Sequence, residues 1–275
     1  MLKLNRTRNL LFMPILLSLI VAVIGLAGLS ISQRAARAQE EATIYIPLAM
    51  NKAFIPPPET IMILTPGNGS TVTSPIHISG EADPTFEQTL VVHVLDANGD
   101  VLAEEPTTIQ ADLGERGPYE LDLHLDLDTE ENIFIQVFDV SARDDNIIHL
   151  SSVVVTFSPD GPEDIFVREP YREVISIIQP QMGEVISGGS LNVHGFGLAS
   201  FEQTLVVEVQ DEEGDVIAQE PVIVDSPEWG IPGFFQVDIA YSVTYAQPGR
   251  IVVRDISPAH GDNVHLTSVE VTLHP

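Results

Sequence analysis

Two short acidic segments carry the side chains best suited to binding a metal ion. Residues 96–100 read Asp-Ala-Asn-Gly-Asp, and residues 211–215 read Asp-Glu-Glu-Gly-Asp. Oxygen ligands at the first, third and fifth positions are typical of calcium-binding loops. A complete loop also has glycine at position six and glutamate at position twelve, where this chain has Val101 and Thr107. The Asn-Gly pair of the first segment predicts a tight hairpin turn instead, so calcium binding is the alternative interpretation.

Two histidines and two aspartates recur at matching positions in the two halves of the chain. His149 follows Asp139 by ten residues, and His265 follows Asp255 by the same number. A metal site or an acid–base pair would need these groups to converge on one point. We predict the simpler arrangement, in which they hold the loop between two strands through hydrogen bonds to the backbone.

The motif Phe-Glu-Gln-Thr occurs twice and is a third candidate. Its glutamates, Glu87 and Glu202, could face a ligand. We expect instead that its phenylalanines, Phe86 and Phe201, fill the core while the glutamate and glutamine bridge to the backbone where a strand begins. The sequence contains no nucleophile elbow, phosphate-binding glycine loop, zinc-binding histidine pair or cysteine. We therefore predict that the protein is not an enzyme, and we assign no catalytic, cofactor-binding or metal-ligating residues.

All three candidates belong to a long internal repeat. The sequence Phe-Glu-Gln-Thr-Leu-Val-Val occupies residues 86–92 and again residues 201–207, an offset of 115 positions. A period of that length corresponds to a whole small domain rather than to a solenoid repeat. We predict two domains, residues 61–159 and 174–275, joined by a polar linker over residues 160–173.

Apolar residues alternate with polar ones throughout the repeats, which predicts β-strands. In residues 119–128, leucines alternate with acidic residues and a histidine. In the strand that contains Leu90, Val92 and Val94, the inward face is ambiguous until the second copy, where Glu208 and Gln210 must face outward. Six or seven such strands per domain predict an all-β chain of two tandem immunoglobulin-like β-sandwich domains.

The order of several motifs resembles a known family. Each repeat has an apolar strand and a proline turn, a strand that ends at Gly80 or Gly195, then Phe-Glu, and then Val-x-Val-x-Asp-x-x-Gly. A late Asp-x-Ser and a valine-rich strand close each copy. This pattern resembles the immunoglobulin-like domain associated with bacterial spore-germination proteins. The resemblance implies an exported, non-catalytic sandwich in an envelope context, although no companion germination domain is visible.

The first 38 residues have the features of a secretory signal peptide. Basic residues precede an uncharged apolar run from residue 10 to about residue 31, and Ala36-Arg37-Ala38 has small residues where signal peptidase reads them. We predict a signal peptide over residues 1–38. An uncleaved membrane anchor is the alternative, because the run is long enough to cross a bilayer. Residues 39–60, which contain three consecutive prolines, form a proline-rich spacer.

The remainder of the chain is strongly acidic. The whole sequence has 12 basic and 40 acidic residues, and five of the basic ones lie in the signal segment. Seven basic and 40 acidic residues remain after residue 38, a formal net charge of −33. Such a surface repels nucleic acid and anionic lipid, so we expect contact with a membrane only through an uncleaved N-terminal segment.

One strand presents aromatic side chains away from its own core. In residues 133–138 the isoleucines and valine face inward, which leaves Phe134 and Phe138 on the opposite face. The matching residues of the second repeat are Arg250 and Arg254. Two outward aromatics predict an interaction face. A loop, the apolar segment of residues 44–50 or the second domain would cover it inside the chain.

Together these features predict a non-catalytic interaction or spacer module located outside the cell or in the cell envelope. Its expected partner is an envelope or extracellular protein or polymer. The principal alternative is calcium-dependent adhesion or ion binding through the acidic hairpins. A secreted hydrolase is a third alternative, and it would need paired polar groups in a pocket.

Overall fold

Each of the two repeats folds into eight β-strands that follow one another in the same order. The computed structural model describes residues 54–275. The predicted signal peptide, the spacer as far as residue 53 and the apolar segment of residues 44–50 lie outside the described residues. A short 3-10 helix, Phe86–Gln88, is the only helix within residues 54–275. In this part of the chain no helix is long and apolar enough to cross a membrane.

The strands of the two repeats correspond one to one, β1 with β9 through to β8 with β16. Those of the first repeat are β1 (Ile61–Thr65), β2 (Thr71–Val72), β3 (Ile76–Ala82), β4 (Thr89–Leu95), β5 (Val101–Thr108), β6 (Gly117–Leu123), β7 (Glu131–Val140) and β8 (Ile147–Phe157). Those of the second repeat are β9 (Ile175–Gln179), β10 (Val185–Ile186), β11 (Ser190–Gly197), β12 (Thr204–Gln210), β13 (Val216–Ile223), β14 (Gly233–Ala240), β15 (Gln247–Ile256) and β16 (Asn263–Leu273).

The strands of each repeat form two facing sheets. One sheet has the order β1-β3-β6 in the first repeat and β9-β11-β14 in the second. The other has the order β5-β4-β7-β8 in the first repeat and β13-β12-β15-β16 in the second. Side chains from the two inner faces meet between the sheets, as in other β-sandwiches. The prediction of an all-β chain with two tandem sandwiches is confirmed.

The inward positions predicted from sequence alternation form the cores. Leu90, Val92 and Val94 of β4 are fully buried, and so are the matching residues of β12. The inward residues of β7 are fully buried as well. Burying one such side chain contributes roughly 1.5–3 kcal/mol. Each repeat thus has its own apolar core, which is built without disulfide bonds because the chain has no cysteine.

The strand predicted for residues 119–128 is shorter than expected. Strand β6 ends at Leu123, which lies opposite Ile76, the first residue of β3. Beyond this point β6 has no neighbouring strand to pair with, and the backbone N–H of Leu125 donates to Ser74 Oγ at 3.0 Å. Leu125 still reaches the core. The alternating pattern therefore predicted burial correctly and strand length incorrectly.

The edge strands β8 and β16 pair with each other and join the larger sheets of the two repeats. The result is one continuous path of eight strands, β13-β12-β15-β16-β8-β7-β4-β5, with the short strands β2 and β10 added at its sides. The antiparallel register places Leu266 opposite Leu150 and Thr267 opposite His149. The two sandwiches are thus connected by backbone pairing as well as by the chain that links them.

Two glycines lie where another part of the same sandwich passes too close for a side chain. A Cβ at Gly80 would overlap the carbonyl oxygen of Met62 and lie 2.6 Å from the hydroxyl oxygen of Tyr119. That hydroxyl donates to the same carbonyl oxygen at 2.9 Å. At Gly195 the added atom would overlap the ring of Phe235. Glycine at these positions therefore leaves room for side chains and carbonyls of the neighbouring strands in the same sheet, β1 and β6 around Gly80 and β9 and β14 around Gly195.

We expect Gly80→Ala to lower the free energy of unfolding of the first repeat by about 1–3 kcal/mol, the usual cost of overpacking a filled core. Chemical denaturation followed by circular dichroism measures this loss. The matched control is Ser79→Ala on the neighbouring half-buried residue of the same strand, which should change stability by less than about 0.5 kcal/mol. Equal losses in the two variants would contradict the steric explanation.

Candidate functional site at the domain junction

The junction between the repeats is built from reciprocal contacts. Ser152 Oγ of β8 donates to the backbone carbonyl of Val264 at 2.7 Å. In the same way Ser268 Oγ of β16 donates to the backbone carbonyl of Ile148 at 2.7 Å. Ser268 is the counterpart of Ser152, and Val264 is the counterpart of Ile148, so the same contact is made once in each direction. This is the pattern of a two-fold, self-complementary interface.

A separate apolar cluster fills one side of the junction. It contains Phe138, Leu150, Val252 and Leu266, two residues from each repeat. Phe138 is 4% exposed. The ring of Phe134 contacts His260 of the second repeat, with centroids 4.5 Å apart. The two aromatics predicted to form an interaction face therefore contact the second domain of the same chain.

Charged residues surround this cluster. Arg250, which corresponds to Phe134, is fully buried and pairs with Asp144 of the first repeat at 3.1 Å. It also pairs with Glu270 at 2.8 Å, and Glu270 in turn accepts from Arg143 Nη1 at 2.6 Å. Removing either partner from such a pair would leave a charge uncompensated, which is why buried pairs hold one specific geometry.

The outward polar residues of β12 are covered by the same contacts. Glu208 and Gln210 face away from their own core, as predicted, but both are buried. Glu208 pairs with Arg254, and Gln210 accepts from Arg250 Nη1 at 3.2 Å. Arg250 and Arg254 thus lie on the same face of the second sandwich as Glu208 and Gln210.

The acidic hairpins also lie at the junction. Asp96 Oδ1 accepts from the backbone N–H of Asn98 at 2.8 Å and of Asp100 at 2.9 Å. These hydrogen bonds hold the pKa of Asp96 below its usual value. In the second hairpin the carbonyl of Gly214 accepts from Asn146 Nδ2 of the first repeat at 2.8 Å. The leading carboxylate therefore organises the turn, and the turn packs against the other domain.

Four buried side chains meet at the centre of the junction. Glu59 and Glu173 precede β1 and β9, and His149 and His265 lie on β8 and β16. His149 Nε2 lies 2.7 Å from Glu59 Oε1 and 3.6 Å from Glu173 Oε1. His265 Nε2 lies 3.2 Å from Glu59 Oε1. Each repeat thus contributes one glutamate and one histidine from matching positions.

The two carboxylates are held by an exchange between the segments that lead into β1 and β9. Glu59 Oε2 accepts from the backbone N–H of Val174 at 3.0 Å. Glu173 Oε2 accepts from the backbone N–H of Thr60 at 2.9 Å. Each glutamate thus caps the residue that follows the other. The described part of the proline-rich spacer therefore packs along the end of the linker, where Pro58 and Arg172 form a β-bridge.

The two carboxylates have opposite pKa shifts. Burial alone would raise the pKa of Glu59, but the charge of His265 and the hydrogen bonds from both histidines hold it well below the usual range. Burial raises the pKa of Glu173 to about 7, because the charge of Glu59 adds to this effect and the charge of His149 only partly offsets it. The cluster thus holds one firmly ionised carboxylate beside one that retains a proton more readily.

The histidines do not hold a loop through the backbone, so that prediction was wrong. Asp139 and His149 are cross-strand neighbours in the ladder between β7 and β8, yet the histidine ring turns to Glu59. Asp255 instead accepts from the N–H and Oγ of Ser200 at 2.8 and 2.9 Å. Asp139 is buried beside His149, and burial raises its pKa to about 6.

Sequence reasoning missed the two glutamates because it assigned them to connecting segments. Glu59 fell in the predicted spacer and Glu173 in the predicted linker. A signal was present in the sequence, since each glutamate stands two residues before the first isoleucine of its repeat, Ile61 or Ile175. Aligning the two copies therefore shows that a glutamate recurs at this position, just as the histidine does.

The Phe-Glu-Gln-Thr turns also differ from expectation. Phe86 is 64% exposed and Phe201 is 45% exposed, so neither fills the core. Gln88 is buried instead, and its Nε2 donates to the carbonyls of Asp112 and Glu115 at 3.1 and 3.0 Å. The glutamine thus bridges to the backbone as expected, by satisfying carbonyls of the following loop, whereas the prediction that the phenylalanines fill the core was wrong.

The repeats match one family of domains. The sequence model of Gmad2, described as the immunoglobulin-like domain of bacterial spore germination, matches residues 60–146 and 174–262. No curated protein matches the chain significantly.

Three solved structures to which the chain is similar have low sequence identity and low TM-scores. The titin domains Z1Z2 in complex with telethonin are 10% identical, with a TM-score of 0.20 over 79% of this chain and 96% of that one. Red sea bream transglutaminase is 9% identical, with a TM-score of 0.26 over 78% and 31%. The N-terminal Ig1-2 module of the Drosophila receptor protein tyrosine phosphatase DLAR is 14% identical, with a TM-score of 0.21 over 80% and 100%.

We expect Phe138→Ser to loosen the junction while both sandwiches stay folded, because the ring packs between the repeats and outside either core. Truncating a buried aromatic costs about 3–5 kcal/mol. Faster proteolysis within residues 160–173 and a broader small-angle X-ray scattering distance distribution would report the loosening. Val154→Ser, at an exposed position of β8, is the matched control and should leave both unchanged. Collapse of the circular dichroism spectrum in Phe138→Ser would contradict this assignment.

Proposed function

This chain belongs to the family of immunoglobulin-like domains of bacterial spore germination, and from its two copies we propose that it is an exported spacer and interaction module of the cell envelope or the extracellular medium. Immunoglobulin-like domains of this family are typically non-catalytic, which supports an interaction module as the class of function. The location, the spacing role and the partner are the proposal.

The junction supports the spacing role. Domains joined by a linker move relative to one another by default unless their interface is extensive. Here β8 and β16 pair directly, an apolar cluster lies beside them, and Arg250 is buried against Asp144 of the other repeat. These contacts hold the two sandwiches in one relative orientation, as a spacer requires.

The observation that carries the binding role is the repeated exposure of Phe86 and Phe201 on identical turns. In both turns the following glutamate and glutamine have positive φ angles, 56° and 57° in the first copy and 48° and 55° in the second. Non-glycine residues adopt this conformation uncommonly. The first turn is held in it by the buried Gln88, so exposure of the aromatic ring is built into the turn. Exposed aromatic rings are frequent anchors at protein interfaces.

Charge and sequence support the proposed location and partner class. The predicted signal peptide directs the chain out of the cytoplasm. The formal net charge of −33 after residue 38 repels nucleic acid and anionic lipid surfaces. An uncharged or cationic protein or polymer of the envelope is therefore the partner that this surface fits.

Calcium-dependent adhesion through the second hairpin is the alternative function. The carboxylate oxygens of Asp211, Glu213 and Asp215 lie within 4.8 Å of one another. A calcium ion would bring these like charges together. Removing calcium with a chelator separates this function from the one proposed above.

We expect the full chain to co-sediment with the envelope fraction of the organism that encodes it, with or without chelator. Phe86→Ala and Phe201→Ala should each weaken the binding, and the double variant should abolish it. Two linked contacts strengthen binding by about 10²–10⁴-fold over one, so a single replacement should have a large effect. The bound fraction is measured against protein concentration.

The matched control is Met182→Ala, which removes an exposed apolar side chain that lies outside the repeated turns and the loops that they contact. It should leave the bound fraction unchanged. Absence of sedimentation by the wild-type chain would overturn the binding role, and loss of sedimentation in chelator would favour the calcium-dependent alternative. Full retention of binding by the double phenylalanine variant would show that the turns are not the contact points.

A further inference from the structure

We propose that the buried side chains of Glu59, His149, Glu173 and His265 bind one divalent transition-metal ion of the zinc class, which clamps the two repeats together. This site is independent of the proposed function, because a metal clamp would be present whether or not the module binds an envelope partner. It also lies apart from the acidic hairpins.

The chemistry of the four side chains fits such an ion. Histidine nitrogens and carboxylate oxygens are ordinary ligands of zinc, whereas imidazole is not a ligand that calcium or magnesium prefers. The four ligand atoms lie within 4.8 Å of one another. Zinc with bonds of about 2.0–2.1 Å needs tetrahedral ligand atoms roughly 3.3 Å apart. The distances from His149 Nε2 to Glu173 Oε1, 3.6 Å, and from His265 Nε2 to Glu59 Oε1, 3.2 Å, are close to that value. His149 Nε2 and Glu59 Oε1, which lie 2.7 Å apart in a hydrogen bond, would move apart when both bind the ion.

An unpartnered atom independently indicates a ligand. Glu173 Oε1 has no hydrogen-bond partner among the described residues. Its side chain is only 4% exposed, so water does not solvate this oxygen freely. Buried carboxylate oxygens are normally hydrogen-bonded or bound to a cation, since burying one without a partner is costly. The other oxygen of Glu173 accepts from Thr60, so the free atom is the one directed at His149. A metal ion would satisfy it.

Neighbouring groups orient the proposed ligands. Glu59 accepts from the backbone N–H of Val174 and from Ser151 Oγ, the latter at 3.3 Å. Glu173 accepts from both the N–H and the Oγ1 of Thr60. Hydrogen bonds to ligating carboxylates fix their orientation and support metal affinity. Two ionised carboxylates would also balance the charge of a divalent ion, which removes the main cost of burying them.

The proposed site has an access route and a structural character. A cleft of about 210 Å³ is lined by His265, Ser151, Tyr171 and Val174 and leads to the cluster. Four protein ligands leave no open position for a substrate, which is the mark of a structural zinc site rather than a catalytic one. Metal ions and disulfide bonds both stabilise small exported domains, and this cysteine-free chain has only the first of these available.

The test uses the full chain, stripped of metal by dialysis against a chelator. We expect isothermal titration with zinc chloride to show one tight site per chain, and cobalt(II) to give the intense visible absorption of a tetrahedral site. Glu173→Gln is the critical variant, because glutamine keeps the shape and can still accept from Thr60. It should fold normally and lose zinc affinity by more than about 100-fold, beyond the loss typical of a group that only supports a ligand.

His265→Gln should show the same loss, and zinc should raise the melting temperature of the wild-type chain but not of either variant. The control is His124→Gln, which removes an exposed histidine outside the cluster and should bind zinc as the wild type does. Zinc binding that survives in both Glu173→Gln and His265→Gln would overturn the proposal and assign the metal to surface carboxylates. Absence of a tight site in the wild-type chain would also overturn it.

Discussion

The pairing of two edge strands is the constraint on which the rest of this molecule depends. An unpaired edge strand is a template for unwanted association, and proteins protect such edges. Strand β8 covers part of its edge with β2 and the remainder with β16, and β16 does the same with β10 and β8. This pairing brings together His149 on β8 and His265 on β16, whose ring centroids lie 5.3 Å apart. The apolar cluster, the ion pairs and the buried glutamates surround that ladder.

The apolar and polar parts of the junction have different roles. Burial of Phe138, Leu150, Val252 and Leu266 supplies favourable free energy that depends little on direction. Ion pairs such as Arg250 with Asp144 recover at most the cost of removing both charges from water. Their contribution is geometric, because a shifted register would leave a buried charge without its partner. The apolar cluster therefore favours association, and the polar contacts determine which arrangement is adopted.

The sequence predicted each sandwich well and the junction poorly, for a physical reason. Alternation identifies which side of a strand faces its own core, so Leu90, Val92 and Val94 could be placed from the sequence. It says nothing about what covers the other side. Phe138 could be recognised from the sequence as an outward aromatic. Its partners Val252 and Leu266 could not, because each lies on a strand that also belongs to the sandwich of the second repeat.

Two misassignments arose where local pattern and burial disagree. The phenylalanine of each Phe-Glu-Gln-Thr turn was expected inside because it is apolar, yet the backbone conformation of the turn directs Gln88 inward instead. Glu59 and Glu173 were assigned to connecting segments because proline and charge surround them. Their burial depends on a contact between segments more than 100 residues apart, as in the hydrogen bond from Val174 to Glu59, which no local pattern contains.

The reciprocal contacts across the junction have the geometry of a homodimer whose two subunits have been fused into a single polypeptide. In a true homodimer every substitution appears on both sides of the symmetry axis at once. Fusion removes that restriction, so each half can specialise against the other. The phenylalanine pair on β7 and the arginine pair on β15 are such a divergence. Because His260 is the counterpart of Asp144, two copies of the first half would place Phe134 against Asp144, and two copies of the second half would place Arg250 against His260. Each half therefore fits the other half better than it would fit a copy of itself.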